Sequence, residues 1–351
     1  MKNSSKSSWK PFIKPFIPVL YLFLIFGLAV SVITEANYVK QLSTAAKSEI
    51  VLESDSFKNE VNSQVSNVLY LADILQRIRE FIPSDEALFT STIEGVMADF
   101  TRENGVYDQV RLLDNNGMEI ARINWVNGKT HVVPADELQD KSDRYFYQES
   151  LGLKTNQVYI SKFDLNMEYS GIELPIKPVY RLITPVDLTN GKRLGFVVVN
   201  ILGQPVLNHI LGAEELVHGS LYLINEEGDW IIAPPGATAW GFMYGDSVVN
   251  SNISQTYSGI WQKYHGEDLF QGFSTKGFFT FNVIDPLNQY MVMNNPELNG
   301  ISHEKWILVS YIPLSLLFSE AALVVFFTTI FCIFVLFHKN LLSILKCKYH
   351  Y

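Results

Sequence analysis

Between Glu35 and Ile82 the apolar positions recur every three or four residues, at Phe57, Val61, Val65, Val68, Ala72 and Leu75. That spacing keeps one face of an α-helix apolar. Other positions carry Lys47, Glu49, Glu53, Asp55, Lys58, Glu60, Asp73 and Arg77. The stretch holds neither glycine nor proline, the strongest local breakers. It stops at Ile82-Pro83, where the residue before proline is pushed away from the helical region. The pattern predicts one rod of roughly 70 Å, at about 1.5 Å per residue, or two helices meeting in a bend near Ser54–Ser56.

After Pro83 the period stays helical for one short element, with Leu88, Ile93, Val96, Met97 and Phe100 apolar and Gly105 as its stop. The period then falls to two. Segments 106–113 and 118–125 flank Asp114-Asn115-Asn116-Gly117, a tight-turn sequence. With Asn115-Asn116 as a two-residue loop, Arg111 faces Ile120 and Gln109 faces Arg122. Alternation sends Val110, Leu112, Ala121 and Ile123 to one side, and Tyr107, Gln109, Arg111 and Arg122 to the other. The first side is core; the second is a polar pocket or a solvated surface.

Residues 128–141 read as loop, 142–151 as a short aromatic helix, and 156–163 as a strand ahead of the irregular 164–178. Strands at 180–186 and 194–201 surround Thr189-Asn190-Gly191-Lys192, a second hairpin turn. A connecting helix follows at 204–211. The alternation then restarts, with 220–224 and 230–233 flanking Asn225-Glu226-Glu227-Gly228-Asp229. Residues 240–244 read as packed loop, and late strands fall at 278–284 and 306–312. The expected fold class is α+β: two antiparallel-sheet modules in tandem behind one long helix.

Two apolar stretches set this body at a membrane. Pro15–Thr34 carries no charge; Ala321–Phe337 carries none either, and 312–319 extends it with mostly apolar residues. A span needs about 20 apolar residues, so 15–34 and 312–337 are the expected transmembrane helices. A cleaved signal peptide is the competing reading of the first. Its apolar run exceeds the about 7–15 residues usual there, and Thr34-Glu35-Ala36 is a poor cleavage site. An uncleaved anchor is favoured.

Charge orients the chain. Lys2, Lys6, Lys10 and Lys14 precede the first stretch, Lys339, Lys346 and Lys348 follow the second, and neither flank holds an acid. Positive flanks stay in the cytoplasm, so 1–14 and 338–351 are expected inside and 35–311 outside. Of the 36 acidic residues 35, all but Glu320, and 20 of the 27 basic ones then belong to the middle, a net −15. That balance argues against nucleic acid and anionic lipid headgroups as partners.

Cys332 lies in the second stretch and Cys347 in the tail, so the outer part has no disulfide. The seven histidines are scattered without a His-x-x-x-His pair. No Gly-x-Ser-x-Gly elbow or phosphate loop occurs. Neither an enzyme nor a metal or other cofactor is expected.

Several motifs carry a resemblance: Tyr107-Asp108-Gln109-Val110-Arg111, Gly117-Met118-Glu119 with Arg122, and Lys141-Ser142-Asp143-Arg144-Tyr145. Tyr159-Ile160-Ser161, Asp164-Leu165-Asn166 and Glu173-x-Pro175-x-Lys177-Pro178 follow, with Arg181, Thr184-Pro185 and Trp306-x-Leu308-Val309. Over about residues 35–320 the chain resembles the double Cache, PAS-like sensor ectodomains of bacterial histidine kinases, diguanylate cyclases and chemoreceptors. The resemblance implies a membrane-distal module at 83–212 with the ligand pocket and a membrane-proximal module at 213–311. It also implies a bacterial inner membrane, a periplasmic 35–311, and a homodimer formed along the long helix.

In the amino-acid-binding subset that this resemblance brings in, an arginine followed by Trp-Tyr clamps the ligand carboxylate and a later aspartate binds its amino group. Arg144 and Tyr147 fit the first positions, with Phe146 in place of the tryptophan and Gln139 in place of an upstream tyrosine. Asn200 stands in the approximate place of the aspartate. A neutral amide gives up the charge-assisted bond, roughly twice as strong as a neutral one, so an α-amino acid is disfavoured. Arg111, Arg122, Arg144 and Arg181 favour an anionic or carboxylate ligand, because guanidinium forks fit carboxylates. The candidate ligand-binding residues are Arg122, Arg144, Tyr145, Tyr147, Asp164, Arg181 and Asn200.

Blander readings stand beside these. Arg144 caps or pairs locally with Asp143; Arg111 and Arg122 form a solvated face; Asp164 and Asn166 stabilise a loop; Tyr145-Phe146-Tyr147 is core packing.

Past Phe337 the sequence shows no kinase, cyclase or methyl-accepting signature. The expectation is a sensor input module for a small extracytoplasmic ligand, its output truncated from the frame or supplied by a partner signalling protein. The alternative is a membrane-anchored scaffold that modulates a partner sensor without binding a ligand.

Overall fold

The computed structural model of the chain describes residues 16–168, 171–213, 217–245, 248–287 and 304–348. The N-terminal segment expected at 1–14, Pro15 of the first apolar stretch and residues 349–351 of the tail lie outside the described residues.

One helix, α1 (Phe16–Phe81), runs 66 residues without a break, so the bend near Ser54–Ser56 does not occur. At about 1.5 Å per residue it is about 100 Å long. Its apolar stripe of Ile50, Phe57, Val61, Val65, Val68, Leu71 and Leu75 is buried to 3% exposure or less. After Pro83, Asp85 caps α2 (Glu86–Asn104) by accepting from the Leu88 amide at 3.0 Å, and Gly105 ends it at φ +63°. Phe89 takes the core position expected of Leu88, which is exposed.

The first sheet comprises β1 (Tyr107–Leu113), β2 (Glu119–Val126), β3 (Lys129–Val132), β4 (Tyr159–Ile160), β5 (Asp164–Leu165), β8 (Pro178–Asp187) and β9 (Arg193–Leu202). Its order is β3-β2-β1-β9-β8-β4, with β5 also on β8. The strands β6 (Met167–Glu168) and β7 (Gly171–Ile172) pair with each other in a separate two-stranded sheet. Helix α3 (Tyr145–Ser150) lies in the loop before β4, and α4 (Gln204–Ala213) follows β9.

The second sheet takes the order β11-β10-β14-β13-β12, from β10 (Ser220–Asn225), β11 (Trp230–Ile232), β12 (Leu269–Phe273), β13 (Gly277–Ile284) and β14 (Trp306–Pro313). Two single-turn helices, α5 (Ile253–Thr256) and α6 (Ser258–Trp261), cross it. Residues 314–316 form a 3-10 turn, and α7 (Glu320–Lys348) completes the described chain.

Three expectations need correction. The first hairpin pairs Arg111 with Arg122 and Gln109 with Asn124, not with Ile120 and Arg122. The Asp114 amide donates to Met118 O and Gly117 sits at φ +89°, so the loop has three residues and moves the register by one, and a bulge between Leu112 and Leu113 moves it by one more. Residues 128–141 are not all loop, because 129–132 form β3, whereas the strand expected at 156–163 shrinks to β4. The second apolar helix begins at Glu320 rather than at Ile312, which ends a strand with Pro313.

The two long helices meet side by side. Ser31 Oγ donates to Ala322 O at 3.1 Å, and Ser319 Oγ donates to Glu35 Oε2 at 3.0 Å. A Cβ on Gly27 would lie 3.2 Å from Thr329 Oγ1. The N-terminal part of α1 is long and apolar enough to cross a membrane; the apolar stretch of α7, Ala322–Val335, is shorter. Tyr21, Phe23, Phe26, Phe327 and Phe331 project outward from these parts.

Candidate functional site

Register and pleat put the polar residues of the first sheet in one row. Gln109 of β1 is opposite Asn200 of β9, which is opposite Arg181 of β8. Successive side chains alternate, so Val110, Val199, Ile201, Tyr180 and Leu182 turn the other way, into the core under α1 and α2. Tyr107 also goes there. A bulge between Tyr107 and Gln109 takes it off the polar face, where it was expected. Its ring stacks on Phe100 and its hydroxyl bonds to Gln64 at 2.5 Å.

Above this row lies a cavity of about 310 Å³. Its wall holds Arg144, Tyr145, Asp164 and Arg181 from the expected set, together with Arg111, Lys141, Phe146, Lys162, Asn166 and Met167. Phe242 and Met243 close it from the second module. Arg181 Nη1 donates to Asp164 Oδ1 at 2.8 Å, and the Tyr145 hydroxyl donates to Asp164 Oδ2 at 2.7 Å. The Arg181 guanidinium also lies over the Phe146 ring, 5.0 Å from its centre. Burial works against the Arg181 charge, but Asp164 and Tyr145 outweigh it and hold its pKa above the ordinary value. Burial and the Asp164 charge push the Tyr145 phenol up, so it stays a neutral donor.

Asn200 is fully buried behind the wall. It accepts from Arg111 Nη1 at 2.9 Å and donates to Asn166 Oδ1 at 3.3 Å. Arg111 and Arg122 both lie against Glu119, at 3.1 Å each, so neither is part of a solvated face. Arg122 is off the cavity wall. Tyr147 is off it too: its hydroxyl donates to Asn115 O at 2.8 Å and its ring meets Phe196 edge-on. It braces the first hairpin turn instead. The Arg144 pairing with Asp143 is long, at 3.9 Å.

The segment carrying Lys141 and Arg144 is held by that same turn. Lys141 N donates to Gly117 O at 2.8 Å, and a Cβ on Gly117 would fall 2.7 Å from Ser142 Cα. Only glycine combines this φ with so close an approach. Beside the row, Lys177 joins Asp108 at 3.2 Å and Glu173 at 2.6 Å. Burial, only partly opposed by Lys177, raises the Asp108 pKa.

Among the described residues the wall therefore brings five cationic side chains, Arg111, Lys141, Arg144, Lys162 and Arg181, around one carboxylate, Asp164. Asp164 is already engaged on both oxygens. Arg111 and Lys141 had sequence signals, in the strand alternation and in the Lys141–Tyr145 motif. Phe242 and Met243 had none, because their place depends on how the second module meets the first.

Residues 41–292 match the family described as bacterial histidine kinase, sensor domain. No curated protein matches the chain. Among the solved structures similar to it are the following three. One is a domain of a sensory box/GGDEF family protein from Vibrio parahaemolyticus: 20% identity, TM-score 0.61, 80% of this chain and 99% of that one. Another is the extracellular domain of the histidine kinase vpHK1S-Z8: 20% identity, TM-score 0.60, 80% and 95%. The third is the ligand-binding domain of the Campylobacter jejuni chemoreceptor Tlp3 in complex with L-valine: 11% identity, TM-score 0.54, 81% and 98%. The shared fold is that of the double Cache sensors, a long helix carrying two mixed modules in tandem.

Proposed function

Because this chain belongs to the family of bacterial histidine kinase sensor domains, we propose that it is the input module of an inner-membrane receptor whose cavity takes a small anionic ligand, a carboxylate above all. One observation carries this reading: among the described residues five cationic side chains line the cavity against one carboxylate, Asp164, which Arg181 and Tyr145 engage. Although Arg181 pairs with Asp164 and Arg111 with Glu119, the wall stays net positive. A carboxylate brought into such a site gains charge-assisted bonds. Among the described residues of the wall an ammonium finds no carboxylate that is not already engaged. The similar Tlp3 domain binds L-valine; here Asn200 is neutral and faces Arg111 and Asn166.

The signal follows from what closes the cavity. A ligand touching Phe242 and Met243 favours the arrangement in which the second module sits against the first, and only such a difference in affinity shifts an equilibrium. Trp240, beside Phe242, packs edge-on against Phe163 of the first module at 5.4 Å. Helix α1 and the strand leading to α7 then carry the shift to a signalling partner across the membrane. The continuous α1, the adjacent α7 and the lysine-rich flanks support two spans with both ends cytoplasmic. The membrane-distal pocket at 83–212, the proximal module at 213–311 and a homodimer along α1 belong to the same proposal.

The test is thermal melting of the full chain in detergent against acetate, lactate, succinate and citrate, their amides, and the common amino acids. At least one carboxylate is expected to raise the melting temperature while its amide does not. Equal shifts by acid and amide, or shifts by amino acids alone, would overturn the reading.

A further inference from the structure

The first sheet has a second cavity on its opposite side, between α1, α4 and strands β8 and β9. It measures about 340 Å³, within the range of about 300–1,000 Å³ typical of small-molecule sites. Phe57, Tyr180, Ile201, Pro205, Val206 and Ile210 form most of its wall, and Glu60 and His209 stand at its mouth.

Tyr180 is the unusual member. It is fully buried, and its hydroxyl has no hydrogen-bond partner among the described residues. A buried hydroxyl without a partner is destabilising, so such groups are seldom left alone. The same hydroxyl feels the charge of Glu60 on the cavity rim. Burial raises its pKa, which keeps it a neutral donor.

We infer that this cavity is a second ligand site, separate from the cationic one, for an uncharged and mainly apolar molecule with one hydrogen-bond acceptor directed at Tyr180. The apolar wall excludes an ammonium, and Glu60 at the mouth repels a carboxylate. A carbonyl-bearing aromatic or alicyclic molecule satisfies both conditions. Its position gives it consequences. Phe57 and Tyr180 both contact Trp306 of the second module, at ring separations of 5.0 and 5.8 Å. An occupant would press on the junction between the modules from the helix side.

The probes are acetophenone, ethylbenzene (the same shape without the acceptor) and benzoate, tested by saturation-transfer NMR titration of the full chain in detergent. Partitioning into detergent is common to all variants and cancels in their comparison. Acetophenone is expected to bind the wild type more tightly than benzoate. Tyr180→Phe should weaken acetophenone about fivefold, the worth of one neutral hydrogen bond, and leave ethylbenzene unchanged. Val206→Trp should abolish both; Val206→Phe, a smaller plug, replaces it if the tryptophan prevents folding. Acetophenone binding that survives the plug, or absence of any probe signal in the wild type, overturns the site. Equal weakening of acetophenone and ethylbenzene by Tyr180→Phe overturns the role of the hydroxyl.

Discussion

The Phe57 ring on α1 stacks on the Trp306 indole of β14, centroids 5.0 Å apart and planes within 14° of parallel. Phe163 and Tyr180 of the first module meet the same indole edge-on, at 6.0 and 5.8 Å. One side chain thus touches the long helix, the first sheet and the second sheet. Trp306→Ala is expected to cost about 3–5 kcal/mol, the usual loss for emptying a large core site. Urea denaturation followed by circular dichroism measures it. A loss below about 1 kcal/mol would make the stack peripheral.

Arg181 and Asp164 are both buried and 2.8 Å apart. Removing one partner strands the other charge, so Arg181→Ala should destabilise by about 3–5 kcal/mol. Pairing Arg181→Met with Asp164→Leu should recover much of that loss, because no buried charge is then left. Denaturation of the single and double variants tests this through their non-additivity.

Glu304 precedes β14, and its backbone amide donates to Ile160 O at 3.3 Å. Burial first, then the Glu227 charge, raise its pKa to about 7, against the pull of Lys162. The folded state therefore holds this proton more tightly than the unfolded chain does. Its contribution to stability is intact below the unfolded pKa near 4.5. It falls as pH rises toward 7 and stays unfavourable above. Glu304→Gln should flatten stability across that window and stabilise the protein at pH 8 by about 1–3 kcal/mol. Melting curves from pH 4 to 8 check both sign and window.

Gly203 lies where β9 turns into α4, and a Cβ there would meet the Phe163 ring at 2.1 Å. Gly203→Ala should cost about 1–3 kcal/mol through overpacking. Gly212, inside α4, has nothing within 4 Å of an added Cβ. Gly212→Ala should instead stabilise by about 0.5–1 kcal/mol. Opposite shifts in melting temperature are the expected result.

The helical spine and the hairpin at Thr189–Lys192 were legible because their signals are local. No breaker interrupts Glu35–Phe81, and Thr189-Asn190-Gly191-Lys192 links two strands that do pair. The first hairpin register was misread by two because Gly117 adopts φ +89° and lengthens the loop by one residue, and a bulge between Leu112 and Leu113 adds a second step. Tyr107 was placed on the wrong face because a bulge carries no residue signature. In the site, Arg144, Tyr145, Asp164 and Arg181, named through the family resemblance and not through spacing, share one wall, whereas Asn200, Arg122 and Tyr147 lie behind it or to the side. Phe242 and Met243 were out of reach, since contacts between modules leave no periodic trace.

The central claim is that the cationic cavity binds an anion, and the most direct measurement is a calorimetric dissociation constant. The titrant is whichever carboxylate most stabilises the full chain, compared between wild type and Arg144→Gln. A hydrogen bond to a charged group contributes about 1.5–3 kcal/mol, so the variant is expected to bind about tenfold to a hundredfold more weakly. An unchanged constant for Arg144→Gln would contradict the account.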